Sequence, residues 1–477
     1  MRGCPLKCIN ICPIYGTVLV RLYASGERVM KKLYLENLGC SKNQVDAETM
    51  LKILAEDDYI RTEDPAEADI MLVNTCGFIE SAREESIESF FSLHQANPEA
   101  KILLTGCMAE RYAEELSNEL PEASAIFGNR DLSQIRSVVD RVANGERVVA
   151  TYAYPPVKEE VYERDELLNF PGSAYLKISE GCNHRCAYCA IPLIRGSLRS
   201  RPMAMILKDA EHLVSEGIKE LNLIAQDLAA YGTDTLDGSS RFMELLSRLV
   251  ALEGDFKLRL LYIHPDAFPP ELPQFIADNP KVLPYFDIPF QHASTPILRS
   301  MGRIGTKESY LSLIESIRAK VPGAVVRSTI LLGYPGEDED AFAELLDFIE
   351  KAQLDWMGSF LYSREEGTKA YELRGERDHA KAHKAAANFQ KRLESLQQGI
   401  TERRLEQFVG KEYDVLIEEK IEQEDLAIGR IYSQAPEVDG LTVVMGRDLV
   451  PGSVVRCGIR AVKGIDLEAL LVERLDG

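Results

Sequence analysis

Glu180-Gly181-Cys182-Asn183-His184-Arg185-Cys186-Ala187-Tyr188-Cys189 holds three cysteines in C-x3-C-x2-C spacing, directly after the alternating run Ala174-Tyr175-Leu176-Lys177-Ile178-Ser179. Alternation marks a half-buried strand, so the thiols fall on a tight loop leaving its C-terminal end. Three thiolates on so short a loop suit a cubane iron-sulfur cluster, whose irons take cysteine sulfur and whose usual requirement is four ligands. The fourth is missing here. An iron without a protein ligand is an open coordination site, which a catalyst needs and a purely electron-carrying centre does not. Two plainer readings compete: a structural zinc site and a set of buried free thiols. Zinc wants four closed ligands and favours cysteine pairs in twos, so a triplet with no nearby fourth cysteine argues against it. His184 could complete a zinc shell, but it lies inside the loop with little freedom to turn back.

With an aromatic residue, Tyr188, before the last cysteine, the triplet resembles the radical S-adenosylmethionine (SAM) superfamily. The resemblance implies that the open iron chelates the amino and carboxyl groups of SAM and that Tyr188 lies against the adenine. The continuation Cys189-Ala190-Ile191-Pro192-Leu193-Ile194-Arg195-Gly196-Ser197-Leu198-Arg199-Ser200-Arg201 is similar to the methylthiotransferases within that superfamily.

The chain's 477 residues suffice for about three domains. Its 45% hydrophobic and 27% charged content is ordinary for a globular protein, and no apolar run of about 18 residues suggests a membrane span. The formal net charge of -21 is wrong for a protein that binds nucleic acid chiefly through phosphates, and favours a basic partner. Ten cysteines, six of them in a metal-binding pattern, fit a reducing compartment, so a cytoplasmic location is expected.

Residues 1–30 do not share the strand and helix patterning of the rest of the chain. Cys4, Cys8 and Cys12 recur at regular spacing, but Pro5 and Pro13 lie among them and no strand or helix pattern would fix a site. We expect Met30 to be the natural start and the extension to be a mis-assigned or disordered segment.

Residues 31–150 alternate strands with helical stretches, the pattern of a parallel α/β sheet. Three strands are legible: Lys32 to Leu38, Asp69 to Asn74 and Lys101 to Thr105. Each runs into a cysteine, at Cys40, Cys76 and Cys107. The C-terminal ends of parallel strands share one edge, where such sheets bind ligands. Separations of 36 and 31 residues match one strand-helix-strand unit each, so the three thiols should meet in space. Core cysteines would sit within strands; these sit just beyond them, each beside a glycine. Ser41-Lys42-Asn43-Gln44-Val45-Asp46-Ala47-Glu48 and the residues after Cys76 resemble the amino-terminal methylthiotransferase domain, whose three cysteines hold a second, auxiliary four-iron cluster.

Residues 151–172 read as a linker. Within 173–402, six strands are expected: Ala174 to Ser179, Glu220 to Ile224, Lys257 to Ile263, Tyr285 to Ile288, Val325 to Leu331 and Gly358 to Tyr362. Six units fall short of the eight of a full barrel, which makes a partial (β/α)6 barrel the expected fold. Gln226, Asp227, His264, Gln291, His292, Gly333 and Tyr334 would ring its upper edge. Asp287 to Ser294 and Gly333 to Glu337 resemble the family's SAM-side loops, and Tyr188, Gln226, Gln291 and Gly333 are the expected SAM contacts, Gln291 first. His379 to Gln398 is a charged helical stretch expected to lie beside the barrel.

Residues 403–473 change to short alternating strands between Gly and Pro turns, a small β-barrel of the kind that binds single strands. The segment resembles the TRAM domain. Between Arg403 and Gly477, 15 acidic residues stand against 10 basic ones, which suits a basic protein better than a phosphate backbone. Cys457, in mid-strand, is expected to be core.

Ser179-Glu180-Gly181-Cys182, Cys76-Gly77-Phe78-Ile79 and Ala435-Pro436-Glu437-Val438-Asp439-Gly440 resemble the branch of the family that methylthiolates the β-carbon of an aspartate in ribosomal small-subunit protein S-twelve. The alternative is the branch that modifies a transfer-RNA adenosine. The resemblance implies two 4Fe-4S clusters, on Cys182, Cys186 and Cys189 and on Cys40, Cys76 and Cys107. It also implies reductive cleavage of SAM, hydrogen removal from the aspartate and transfer of a methylated sulfur. An electron donor and a sulfur donor would be needed, the enzyme would be a monomer, and no side chain need act as general acid or base.

Overall fold

The alternating pattern from Lys31 onward becomes a six-stranded, all-parallel sheet in the computed structural model, which describes residues 31–55, 59–154 and 164–475. The extension with Cys4, Cys8 and Cys12 and the middle of the expected linker lie outside the described residues. The sheet comprises β1 (Lys31–Asn37), β2 (Tyr59–Arg61), β3 (Ile70–Thr75), β4 (Lys101–Thr105), β5 (Ala125–Phe127) and β6 (Val148–Ala150), in the order β2-β1-β3-β4-β5-β6. The three strands legible in the sequence are its centre. Strands β2, β5 and β6 have three residues each, too short for alternation to register.

Two helices on this domain matter for the site. Helix α1 (Ser41–Ala55) starts right after Cys40, and its first eight residues, Ser41 to Glu48, are all buried although six are polar or charged. Helix α2 (Gly106–Arg111) starts at the end of β4 and carries Cys107 in its first turn.

The second domain is built from β7 (Ser173–Lys177), β8 (Glu220–Ile224), β9 (Lys257–Leu260), β10 (Tyr285–Asp287), β11 (Val325–Leu332) and β12 (Trp356–Leu361). These form two parallel three-stranded sheets, β9-β8-β7 and β10-β11-β12. A bridge from Leu258 to Val282 and a hydrogen bond from the Ile263 amide to the Asp287 carbonyl (2.9 Å) join β9 to β10. No pairing closes β12 onto β7 among the described residues, so the barrel is partial, as expected. Its outer face packs Ala174, Leu176, Leu221, Leu223, Leu258, Leu260, Phe286 and Val326 against the surrounding helices. Strand β9 ends three residues earlier than alternation suggests, because Tyr262 adopts φ 71°, a left-handed backbone that a strand cannot contain.

The inward face of the barrel is polar. Glu220 accepts from Arg259 and Arg430, and Arg327 donates to Asp287 and Asp439. Arg430 and Asp439 belong to the last domain, a closed barrel of β13 (Glu412–Ile421), β14 (Leu426–Arg430), β15 (Thr442–Met445), β16 (Val454–Lys463) and β17 (Asp466–Arg474). Four of these strands are legible in the sequence; β17 is not, because its charged residues blur the alternation. Cys457 is fully buried there, as expected. Tyr432, Ser433 and Asp439 reach residues near the starts of the barrel strands: Arg259 donates to the Tyr432 carbonyl (2.8 Å), Trp356 Nε1 to the Ser433 carbonyl (2.6 Å) and the Tyr285 hydroxyl to Asp439 (2.5 Å). The small β-barrel therefore stoppers the lower mouth, and the long helix α3 (Glu376–Leu405) runs beside β12 into it.

Helix α1 covers the upper mouth. Val45 joins the apolar cluster that contains Tyr175, Ile224 and Leu261. Arg164, buried, donates to Glu48 (2.5 Å), to the Tyr175 carbonyl (2.9 Å) and to Asp209 (3.5 Å), tying helix and barrel together. The strand ends that carry thiols thus face one interface between the two domains, with Cys107 buried in it and Cys40 exposed at its edge.

Candidate metal centres and the interface between them

The first thiol triad lies on the edge formed by β1, β3 and β4. Gly39 has φ 100°, and a Cβ there would stand 3.1 Å from Cys76 Cβ and 3.5 Å from Cys76 Sγ, so only glycine lets the two cysteine turns approach. Gly106, with φ 90°, sits 2.6 Å from Asn74 Oδ1 and Thr75 O by the same measure. Asn43 Nδ2 donates to the carbonyls of Leu38 (2.8 Å), Asn74 (3.3 Å) and Thr75 (3.2 Å), gathering the ends of the two strands. Burial pushes the Cys107 thiol up to about 12, with Cys40 and Cys76 adding to the rise and Arg195 opposing it. A Cβ at Gly77 would likewise lie 2.8 Å from the Cys107 carbonyl oxygen, so the turns of three cysteines scattered over the sequence meet.

Two donors reach Cys107 Sγ: Asn129 Nδ2 at 3.4 Å and Arg195 Nη2 at 3.3 Å. Were this sulfur a cluster ligand, such hydrogen bonds would set its charge and orientation. Arg195 comes from the other domain, just after the C-x3-C-x2-C loop. It also donates to Glu180 through Nη1 (3.0 and 2.9 Å) and to Asp46 through Nη2 (2.8 Å). Lys177 pairs with both Asp46 and Glu180. These four charges link the two domains that carry the triads.

The second triad is held by its flanks. Ser179–Glu180 pairs antiparallel with Arg199–Ser200, zipping the base of the loop. Gly181, at φ 74°, would place a Cβ 2.2 Å from the Ser197 carbonyl. The amides of Cys182, Ala187 and Cys189 donate to the carbonyls of Gly196, Met301 and Cys186 at 3.2, 2.9 and 3.1 Å. Burial, reinforced by Cys186 and Cys182, pushes the Cys189 thiol up to about 12, and burial raises Cys182 to about 11. His184 turns away from the thiols: its Nε2 lies 2.7 Å from Asp227 Oδ2, and its ring stacks on His264 at 4.1 Å. His264 Nε2 lies 3.9 Å from Cys186 Sγ, and its Nδ1 accepts from the Asp266 amide at 3.2 Å. Burial keeps His264 neutral, with its pKa lowered to about 2.

The expected SAM contacts fall around this loop with unequal freedom. Tyr188 packs against an apolar cluster with Ala187, Ile297 and Met301, and its hydroxyl accepts from Arg303 Nη2 at 3.1 Å. Gln226 Oε1 is buried without a hydrogen-bond partner among the described residues, which is the opening an incoming donor would fill. Gln291 holds φ 70° in the segment after β10, its amide and carbonyl paired to Thr329 and Leu331 at 2.8 Å each, so its side chain is aimed by a strained backbone. Gly333 has both backbone groups engaged, the amide by Glu337 and the carbonyl by Arg374. His292 is likewise satisfied, by Glu337 (3.2 Å) and the Ser294 amide (2.9 Å). Asp227 and His292 therefore orient the loops. Residues the sequence did not single out, Lys42, Asp46, Lys177, Arg195 and Tyr262, occupy the interface itself; only their charge and position before or after the cysteines hinted at them.

No three His, Cys, Asp or Glu side chains among the described residues converge closely enough for a single metal ion. A zinc shell crowds its ligands at about 2.0–2.3 Å from one ion, whereas the sulfurs of a polynuclear cluster bind different irons and stand farther apart. Of the six thiols Cys107 is buried, Cys40 is exposed and the other four are half-buried; thiols gathered in two sets, one beside an arginine, fit an iron-sulfur group, whose binding deprotonates them.

Comparison with known proteins places each domain. Residues 32–128 match the Uncharacterized protein family UPF0004, residues 176–349 the Radical SAM superfamily and residues 409–472 the TRAM domain. The radical SAM methyltransferase TsrM of Kitasatospora setae, solved with tryptophan and a SAM analogue, shares the fold: TM-score 0.52 and 15% identity over 69% of this chain and 72% of that one. The ribosomal protein uS12 methylthiotransferase RimO of Treponema denticola is 42% identical over 467 residues, 91% of this chain and 99% of the relative. The RimO of Moorella thermoacetica is also 42% identical, over 89% of this chain and 96% of the relative. With two thiol triads on facing domains, the same three domains in order and this identity over nearly its whole length, the chain belongs to the RimO family of ribosomal protein uS12 methylthiotransferases.

Proposed function

We propose that the protein replaces a hydrogen on the β-carbon of an aspartate in ribosomal protein uS12 with a methylthio group. Cys182, Cys186 and Cys189 would hold one 4Fe-4S cluster together with SAM, and Cys40, Cys76 and Cys107 would hold the other. When bound, these groups supply what no side chain can: a radical able to break an unactivated C–H bond, and a sulfur with its methyl group. The residues of the chain do the placing. Gln226 and Gln291 would orient SAM at the loop, while Arg195 and Asn129 fix the Cys107 sulfur. Helix α1 and the small β-barrel cover the two mouths of the central barrel, which limits the access of water to a radical reaction.

The observation that carries this reading is Arg195, which leaves the C-x3-C-x2-C loop's own domain to touch Cys107 Sγ at 3.3 Å. A sensor or electron carrier has no need to bind its two sulfur sets so closely across a domain boundary. The acidic balance of the last domain supports a basic protein substrate over transfer RNA. Both triads come from one chain, which supports a monomer, and among the described residues no helix is long and apolar enough to cross a membrane. An external electron donor and a sulfur donor complete the reaction, and the thiol-rich site suits a reducing, cytoplasmic setting.

The test is mass spectrometry of uS12 after anaerobic incubation with reconstituted protein, SAM, sulfide and a reductant. A methylthio group localised to one aspartate is expected. Unmodified uS12 alongside methylthiolated transfer RNA would replace this reading with its alternative.

A further inference from the structure

Lys42 is a buried cation at the interface with neither an ion pair nor a hydrogen bond among the described residues. It is 6% exposed, its Nζ stands 3.2 Å from the centre of the Tyr262 ring, and no described group accepts a hydrogen bond from it. The titratable groups that act on it are Cys40, Asp287, Arg195 and Glu180. Each of the carboxylates is already taken: Glu180 by Arg195 and Lys177, and Asp287 by Arg327 and the Tyr262 amide. Asp46, on the same helix, is taken by Lys177 and Arg195. A buried ammonium over an aromatic face, without an anion, is costly to maintain unless something arrives to pair with it.

Its location says what arrives. Lys42 lies two residues after Cys40 on the first turn of α1. Tyr262, beneath it, lies two residues before His264, whose Nε2 is 3.9 Å from Cys186 Sγ. The ammonium thus belongs to the turn that follows one triad and rests on a segment that leads to a histidine beside the other. The carboxylate carbon of an aspartate side chain is bonded directly to the β-carbon. A carboxylate held there would bring the carbon to be modified between the two sulfur sets. The left-handed backbone of Tyr262, anchored by Asp287 Oδ2 (3.1 Å) and the Leu228 amide (3.0 Å), fixes the ring that forms the floor of this place.

We propose that Lys42 and the face of Tyr262 form the recognition site for the substrate's side-chain carboxylate, with Lys42 the residue that selects aspartate over its neutral isostere. The inference rests on uS12 being the substrate. It is tested with the reconstituted holoenzyme and SAM by fluorescence anisotropy, using a uS12 peptide that carries the target aspartate and the same peptide with asparagine.

The parent should bind the aspartate peptide about 10- to 100-fold more tightly, the range expected for a buried charge-assisted hydrogen bond. Lys42→Met should bind both peptides alike, and Lys42→Arg should keep part of the preference. Iron content and the electron paramagnetic resonance of both clusters should be retained in each variant. A parent that binds both peptides equally overturns the clamp. So does a Lys42→Met protein that keeps its preference while the signal of the cluster at Cys40 shifts, which would make Lys42 a counter-ion to that cluster. A parent that neither binds the peptide nor modifies uS12 overturns the substrate assignment, and the clamp with it.

Discussion

Arg195 Nη2 donates to Cys107 Sγ at 3.3 Å across a separation of 88 residues, joining the loop that follows one thiol triad to a thiol of the other. With Cys107 as a ligand of the proposed auxiliary cluster, removing the guanidinium takes a positive donor from its sulfur, so the reduction potential of that cluster should fall. It also leaves Asp46 and Glu180 with Lys177 alone, a loss of about 3–5 kcal/mol for a buried pair. Arg195→Met should show both changes, by potentiometric titration and by thermal unfolding. Arg195→Lys, unable to reach three acceptors from one fork, should recover only part of each.

The two triads should separate by substitution. Cys186→Ala should abolish formation of 5'-deoxyadenosine from SAM, whereas Cys76→Ala should keep it and lose thiolation of uS12. Product analysis by liquid chromatography reads both. Equal SAM cleavage in Cys186→Ala and the parent would contradict the assignment of the open cluster.

Gly106 tests whether the auxiliary site depends on backbone approach. A methyl group there would lie 2.6 Å from both Asn74 Oδ1 and Thr75 O at φ 90°. Gly106→Ala should cost about 2–4 kcal/mol from strain and crowding combined. Cys107 is the next residue, so iron content should fall to that of a single cluster while SAM cleavage persists. Full iron loading would show that the turn adapts.

Glu220 should make the joint between the central barrel and the small β-barrel acid-sensitive. Burial alone would raise its carboxyl, but Arg259 and Arg430 outweigh burial and lower it from 4.5 to about 2. A carboxylate depressed on folding stabilises above its unfolded value and loses that contribution as pH falls from 4.5 towards 2. The contribution at neutral pH is about 3 kcal/mol. Trp356, the sole tryptophan, donates to the Ser433 carbonyl across this joint at 2.6 Å and reports on it by fluorescence. Urea midpoints of apoprotein carrying Glu220→Gln should lie below the parent's at pH 7 and converge with them near pH 2.

Legibility in the sequence followed the range of the interactions. The central strands β1, β3 and β4 and the six barrel strands were readable because alternation is a local property, and the cysteines were readable because each follows such a strand. Strand β9 ends early because Tyr262 takes a left-handed backbone to accommodate contacts with Asp287 and Leu228, neither near it in sequence. His292 and Asp227, plausible as ligand contacts, are occupied by Glu337 and by His184 and His264, partners that only folding supplies. The segment Ala435 to Gly440 read as a family signature, and its Asp439 proves to bind Tyr285 and Arg327 at the base of the barrel.

By itself, the sequence determined the order of three folding units, the two sets of thiols and the chemistry they suit, because strand periodicity and cysteine spacing are written in neighbouring residues. Only the tertiary structure decided that Arg195 spans the two sets, that Lys42 is buried without a counter-charge, and that Arg430 closes the barrel floor on Glu220 from 210 residues away. Those outcomes depend on which charges burial brings together, and burial is a property of the packed chain, with no signature in any short segment of it.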